Sequence, residues 1–303
     1  VLKRAYKAVV TRALRAVLVE TNDKLDTANH ALAHIMRELV LLRTGRVGVW
    51  RGGLADGVAV LDDGSVSVEQ TTKYRGELEF WVNLVKRPEN LPGVDIVYER
   101  EFLTWQRDRL DELADWIGAD DVGNWCAART AVELGPGPYP MICVAQWRRA
   151  IAVDPLADGY VAEDLLPSNA HVDEVVWVAA PGEHTPLPAG HADLVVIENC
   201  LDHVSDPARV IAEIRRLLRP GGLVWLLVDL MTYTDAQHPH AFSEEKLRSL
   251  LAANGFEVVR DRVRDDHKSH PNADAEYRAL LRKPGGEQPS PEVAVRTTAP
   301  ARA

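Results

Sequence analysis

Apolar and polar positions follow two different rhythms along this chain. Over residues 1–46 the apolar side chains recur at helical spacing: Leu2, Tyr6, Val9, Val10, Leu14, Val17 and Leu18, then Leu25, Leu32, Ile35, Met36 and Leu39. The stretch GVAVLDDGSVSVE places Asp62-Asp63-Gly64-Ser65 between two short β-prone runs and predicts a hairpin. Helical spacing returns over 73–125, in ELEFWVNLV and EFLTWQRDRLDELADWIG, with Pro88 and Pro92 breaking the path between them.

From Thr130 to about Lys283 the rhythm changes. TAVEL, AIAVD, EVVWVA, DLVVIEN and LVWLLVDL are short, nearly continuous apolar runs. Such runs suit parallel strands buried on both faces, and the segments between them are long enough for helical crossovers. One crossover carries its own punctuation. Asp206 can cap a helix that starts with Pro207, and Val210, Ile211, Ile214, Leu217 and Leu218 share one face. Pro220-Gly221-Gly222 then stops it. A second helix runs from Ser243 to Asn254-Gly255, and FEVVRD and AEYRALL close the sheet. The tail from Pro284 is rich in Pro, Gly and polar residues and is expected to be disordered.

Composition narrows the setting. The chain has 303 residues, 46% hydrophobic and 26% charged, and a formal net charge of -10. That balance excludes a broad nucleic-acid-binding face, which needs an excess of cations. Cys126, Cys143 and Cys200 are scattered without metal-ligand spacing, which fits a reduced, cytoplasmic compartment. No apolar run reaches the ~18 residues of a membrane span. Residues 1–20 hold Lys3, Arg4, Lys7, Arg12 and Arg15, with no acid before Glu20. This stretch is a candidate for peripheral membrane contact or for packing in a homodimer.

Candidate chemistry begins where the first strand of this region ends. Gly135-Pro136-Gly137 follows Leu134 at once, at the strand edge where open parallel sheets bind ligands. Pro138 departs from the dinucleotide fingerprint, which speaks against a cradled diphosphate. Asp154 ends the next strand, where a carboxylate can accept hydrogen bonds from a vicinal diol. A plain turn remains the alternative reading for each.

The segments ELGPGP and AVDP, followed by HADLVVIENCLDHVSDPARVIAEIRRLLRPGGLVWLLVDL, resemble class I S-adenosylmethionine-dependent methyltransferases over residues 128–283. A fainter likeness is to methyltransferases acting on sugars. The resemblance implies a Rossmann-like three-layer α/β sandwich with a seven-stranded, mostly parallel sheet. It makes 128–283 the cofactor domain, preceded by an N-terminal helix (1–46) and a hairpin and helical cap (47–127), and followed by the tail (284–303). It implies S-adenosylmethionine as cofactor, with Glu133, Gly135 and Gly137 around its methionine part and Asp154 on its ribose. Glu183 would lie beside the adenine, and Glu198 and Asn199 beside the transferring methyl group. The expected acceptor is a sugar or other small molecule methylated on oxygen.

A hydroxyl acceptor needs a base, and histidine is the residue type suited to neutral pH. His203, His238 and His240 are the candidates, each also readable as a plain loop residue, and Asp202 could orient His203. No metal site is expected. Phe80, Trp81, Trp105 and Trp116 read either as a lid or as core. A nicotinamide-dependent oxidoreductase on the same sheet and a non-catalytic binding protein stand as the alternatives.

Overall fold

The computed structural model describes residues 53–55, 58–60, 68–91, 98–167, 171–265 and 273–285. The expected helix over 1–46, with its membrane and dimer readings, and the expected disordered tail lie outside them, apart from the tail's first residues. The chain divides into two compact units, up to Pro186 and from Leu187.

The first unit begins with a hairpin of β1 (Gly53–Ala55) and β2 (Val58–Val60), with Ala55 paired to Val58. This hairpin precedes the expected turn at Asp62-Asp63-Gly64-Ser65, which lies outside the described residues. Asp56-Gly57, the residues between β1 and β2 in the sequence, is one of the strongest short hairpin signals. Val68, near the end of the second expected run, starts a helix. That helix, α1 (Val68–Lys86), lies against the hairpin, and α2 (Tyr98–Ile117) and the short α3 (Val122–Ala127) follow. Asp121 caps α3 by accepting the amide of Asn124 at 2.9 Å. Next come β3 (Thr130–Leu134), β4 (Arg149–Val153), α4 (Ala157–Ala162) and β5 (Val175–Val178). β3, β4 and β5 are parallel neighbours in that order. Every residue of β3 is buried, the polar Thr130 and Glu133 included, as in a strand covered on both faces.

The second unit holds β6 (Ala192–Glu198), α5 (Pro207–Leu217), β7 (Leu218–Leu230), α6 (Glu244–Ala253), β8 (Glu257–Arg264) and β9 (Ala275–Arg282). Asp206 caps α5, accepting the amides of Ala208 and Arg209 at 3.0 and 3.2 Å. Its apolar face of Val210, Ile211, Ile214 and Leu217 is fully buried. Leu218 is not part of that face: it has already turned extended and opens β7. The turn comes early because Pro220 cannot continue a helix and biases the residue before it toward extended backbone. Arg219 to Gly222 bow outward, since Leu218 pairs with Ala192 and Leu223 with Leu194. Opposite the bow, the buried carboxylate of Asp193 holds the Arg219 guanidinium at 2.6 Å. Ser243 caps α6 through the Lys246 amide.

The seven longer strands form one sheet in the order β5-β4-β3-β6-β7-β9-β8. β6 and β7 are parallel, whereas β9 runs antiparallel to both β7 and β8. The edge strand β8 exposes Val258, Val259 and Val263. Its register slips between Val258 and Arg260, a bulge that blunts pairing with a foreign strand. Among the described residues, no helix is long and apolar enough to cross a membrane.

Candidate functional site

In the first unit the glycine turn after β3 is held from both ends. Glu133, 1% exposed, closes the strand and accepts the amides of Met141 and Ile142 at 3.0 Å each. Both carboxylate oxygens thus fix the far side of the loop, and Glu133 shapes the turn. Gly135 and Gly137 have φ of +63° and +64°, the left-handed region in which a Cβ is strained. The Gly135 amide donates to the Val153 carbonyl at 2.8 Å, tying the turn to β4.

Asp154 stands beyond the end of β4, 4% exposed. Its Oδ2 accepts the Gly137 amide at 3.2 Å and its Oδ1 the Leu156 amide at 2.8 Å. The glycine turn and the acidic strand end are therefore one bonded assembly. Burial, and then the nearby Glu77 carboxylate, push the Asp154 carboxyl up to about 7, against the pull of the two amides. Each oxygen still has lone pairs to offer a ligand hydroxyl.

Helix α1 furnishes a wall that the sequence only hinted at. A Cβ on Gly137 would stand 2.5 Å from Cζ2 of Trp81, so the indole rests directly on the glycine. Gly159 likewise leaves room for Leu78. Tyr74 completes this wall, and burial and then the Glu183 carboxylate raise its phenol above the usual tyrosine range. Glu183, half-buried, sits in the turn after β5, and its carboxylate and that of Asp154 both act on the Tyr74 phenol. Of the other aromatics, Trp116 is core, whereas Phe80 and Trp105 are exposed. Phe102 stacks on Tyr139 of the turn at 5.1 Å.

In the second unit, β6 delivers Glu198 and Asn199. Glu198 accepts the Trp225 indole N–H at 2.8 Å. Asn199 adopts φ +44°, a conformation that costs energy in any residue with a Cβ. Its amide is tied to the Leu227 carbonyl at 3.0 Å, while its Oδ1 is buried without a hydrogen-bond partner among the described residues. A buried orphan acceptor on strained backbone suits a donor arriving with a ligand.

Beyond Asn199, the fold gathers residues from two loops. The rings of His203 and His238 lie 4.5 Å apart. Asp202, whose side chain is 4% exposed, places Oδ2 3.9 Å from Nε2 of His203. Asp235 accepts the Nδ1–H of His238 at 2.9 Å and the backbone amides of His238 and Gln237 at 2.7 and 2.8 Å. Burial opposes its ionisation, but the amide and imidazole donors outweigh that and hold Asp235 below the usual carboxylate range. With Nδ1 protonated toward Asp235, His238 carries its lone pair on Nε2. His240 does not join the ring pair: its backbone amide donates to the Asp202 carbonyl at 3.3 Å, and its buried Nε2 has no hydrogen-bond partner among the described residues. Asp235 escaped the sequence reading, although an acid three residues before a histidine in a loop was a legible signal.

A methyltransferase-domain family model matches residues 132–226. An uncharacterized methyltransferase of Mycobacterium bovis is 35% identical over 119 residues, covering 38% of this chain and 44% of that protein. A ubiquinone/menaquinone biosynthesis C-methyltransferase of Vibrio campbellii is 34% identical over 67 residues, 22% of this chain and 26% of that one. The chain thus spans less than half the length of these relatives. Among solved structures, the Burkholderia thailandensis 1,6-didemethyltoxoflavin-N1-methyltransferase, with 1,6-didemethyltoxoflavin and S-adenosylhomocysteine bound, is 18% identical. It covers 75% of this chain and 95% of its own, with a TM-score of 0.48.

Proposed function

Because this chain belongs to the class I S-adenosylmethionine-dependent methyltransferases, we propose that it methylates an oxygen of a sugar or other small molecule. The observation that carries the choice of oxygen is the Asp235–His238 pair, an imidazole oriented by a carboxylate as a general base requires. A hydroxyl must lose its proton during transfer, and this pair is built to receive one.

The residues present fit the cofactor. The strained glycine turn, the buried Asp154 carboxyl and the orphan Oδ1 of Asn199 offer binding groups of the right chemistry. Asp154 would accept from the ribose hydroxyls, and Gly135 and Gly137 would line the methionine part on a loop fixed by Glu133. Glu183 would face the adenine. Asn199 would accept from the amino group, with Glu198 beside it. When bound, S-adenosylmethionine supplies an electrophilic sulfonium methyl group.

What the protein adds is position and a proton acceptor. The acceptor hydroxyl would be held facing that methyl group, its proton would pass to Nε2 of His238, and Asp235 would stabilise the imidazolium through Nδ1–H. The His203 ring, tilted 59° to that of His238 at 4.5 Å, would keep it in place, and the His240 amide ties the loop to the Asp202 carbonyl.

The test is incubation of the full chain with methyl-labelled S-adenosylmethionine and a panel of hydroxyl, amine and carbon-acid acceptors. Label on oxygen, with loss of turnover in His238→Ala, is the expected result. Transfer only to nitrogen or carbon, or tight binding of NAD with none of S-adenosylmethionine, overturns the reading.

A further inference from the structure

Asp202, His203 and His238 each direct one ligand-type atom into a common space, and these atoms lie within 4.8 Å of one another. The sequence reading expects no metal site, because His203 and His238 are far apart in the chain and neither belongs to a recognised ligand spacing. The fold cancels that separation by bringing the loop after β6 against the loop after β7.

Asp202 is the residue that makes the cluster unusual. Its side chain is 4% exposed, and its Oδ1 has no hydrogen-bond partner among the described residues. A buried carboxylate needs a compensating charge or donor, and one imidazole 3.9 Å from Oδ2 is a weak one. A cation seated between the carboxylate and the two rings supplies that charge in full.

We propose that Asp202, His203 and His238 form a binding site for a divalent transition-metal ion. Two imidazoles and one carboxylate select zinc, cobalt, iron or nickel over magnesium or calcium, which prefer oxygen ligands. Ligands about 2.0–2.2 Å from such an ion sit roughly 3–3.5 Å from each other. The 3.9 Å pair therefore closes by small rotations of two partly exposed rings. Asp235 on Nδ1 of His238 is the outer carboxylate that commonly orients a metal-bound histidine. Three protein ligands leave coordination positions open.

The site is the one assigned above to deprotonation, but its existence does not rest on methyl transfer. With the ion in place the lone pair of His238 is occupied. In the ion-bound form an acceptor hydroxyl would be acidified by the metal and give its proton to water, whereas in the ion-free form His238 is the proton acceptor proposed above.

The experiment is titration of the full, chelator-treated chain with cobalt(II), read by visible d–d absorption, with zinc(II) competition. Saturation at one ion per chain and displacement by zinc are expected. His203→Ala and His238→Ala should each weaken binding at least tenfold. The isosteric Asp202→Asn should do the same while keeping the native circular dichroism spectrum. Asp235→Asn, a positioning change, should weaken binding about 10–100-fold. His184→Ala, at an exposed histidine elsewhere, should leave it unchanged. Absence of cobalt binding, or binding that His203→Ala and His238→Ala do not alter, overturns the proposal. Methyl transfer that persists in chelator while cobalt fails to bind defeats this site alone. Cobalt binding without any methyl transfer supports it alone.

Discussion

The indole of Trp81 lies where the missing side chain of Gly137 would project, with Cζ2 2.5 Å from that position. A helix outside the sheet and the glycine turn after β3 are thereby fitted to each other. Gly137→Ala should destabilise the chain by about 1–3 kcal/mol, combining backbone strain at φ +64° with the overlap. Adding Trp81→Ala should recover the overlap part and leave the strain. A double-mutant cycle in urea checks this: strictly additive effects would mean that the two residues do not press on each other.

With Asp154 on the ribose as proposed, cofactor binding is predicted to be sensitive to pH. Burial raises its carboxyl to about 7, so the empty protein holds a proton there that an unfolded chain would release near the ordinary carboxylate range. The sign follows directly: the folded state binds more protons between those two values. The stabilising contribution of this group is therefore full at low pH and is lost as pH rises through about 7. Ribose hydroxyls donate to the ionised form. Affinity for S-adenosylmethionine should accordingly fall by up to about tenfold per pH unit below 7. Calorimetry in buffers of different ionisation enthalpy should show proton release on binding. Asp154→Ala should weaken binding by ~1–3 kcal/mol and flatten the pH response.

Glu133 is predicted to act on the fold before it acts on the ligand. It receives two buried amides, from Met141 and Ile142. Glu133→Ala leaves both without an acceptor and should cost about 2–4 kcal/mol of stability, seen as a lowered urea midpoint. Glu133→Gln keeps one acceptor oxygen and should lose about half as much.

The Asp235–His238 pair yields a kinetic prediction. His238→Ala should lower kcat about 10²–10⁴-fold, the usual range for a positioned proton acceptor. Asp235→Asn should lower kcat less and leave the dissociation constant for S-adenosylmethionine unchanged. A matching loss of cofactor affinity in Asp235→Asn would assign the pair to binding instead.

These predictions separate what local sequence encodes from what it cannot. Asp206-Pro207, Ser243 and the buried runs of β3 and β6 were legible because a cap or a two-sided strand is written within a few residues. Asp56-Gly57, between β1 and β2, carries the same turn chemistry as Asp62-Asp63-Gly64-Ser65, so local sequence does not rank one turn above the other. Glu133, Gly137 and Asp154 could be read as neighbours of a turn, but not as one hydrogen-bonded assembly. The meeting of His203 with His238 and the seat of Trp81 on Gly137 were illegible, since each joins segments distant in the chain.

Lys283 follows the last described strand, β9, and clasps the segment where α5 passes into β7. Its Nζ donates to the carbonyls of Arg215 and Leu218 at 2.8 and 2.7 Å, and its backbone exchanges bonds of 2.9 Å with Gly221 and Gly222. Fraying therefore cannot start quietly at this end of the strand. Opening β9 there must also strip the carbonyls at the end of α5 and release the bowed Pro-Gly-Gly segment. Hydrogen exchange at Gly221 and at Lys283 should accordingly report a single opening event, one cooperative unit closed in space from two places far apart in the chain.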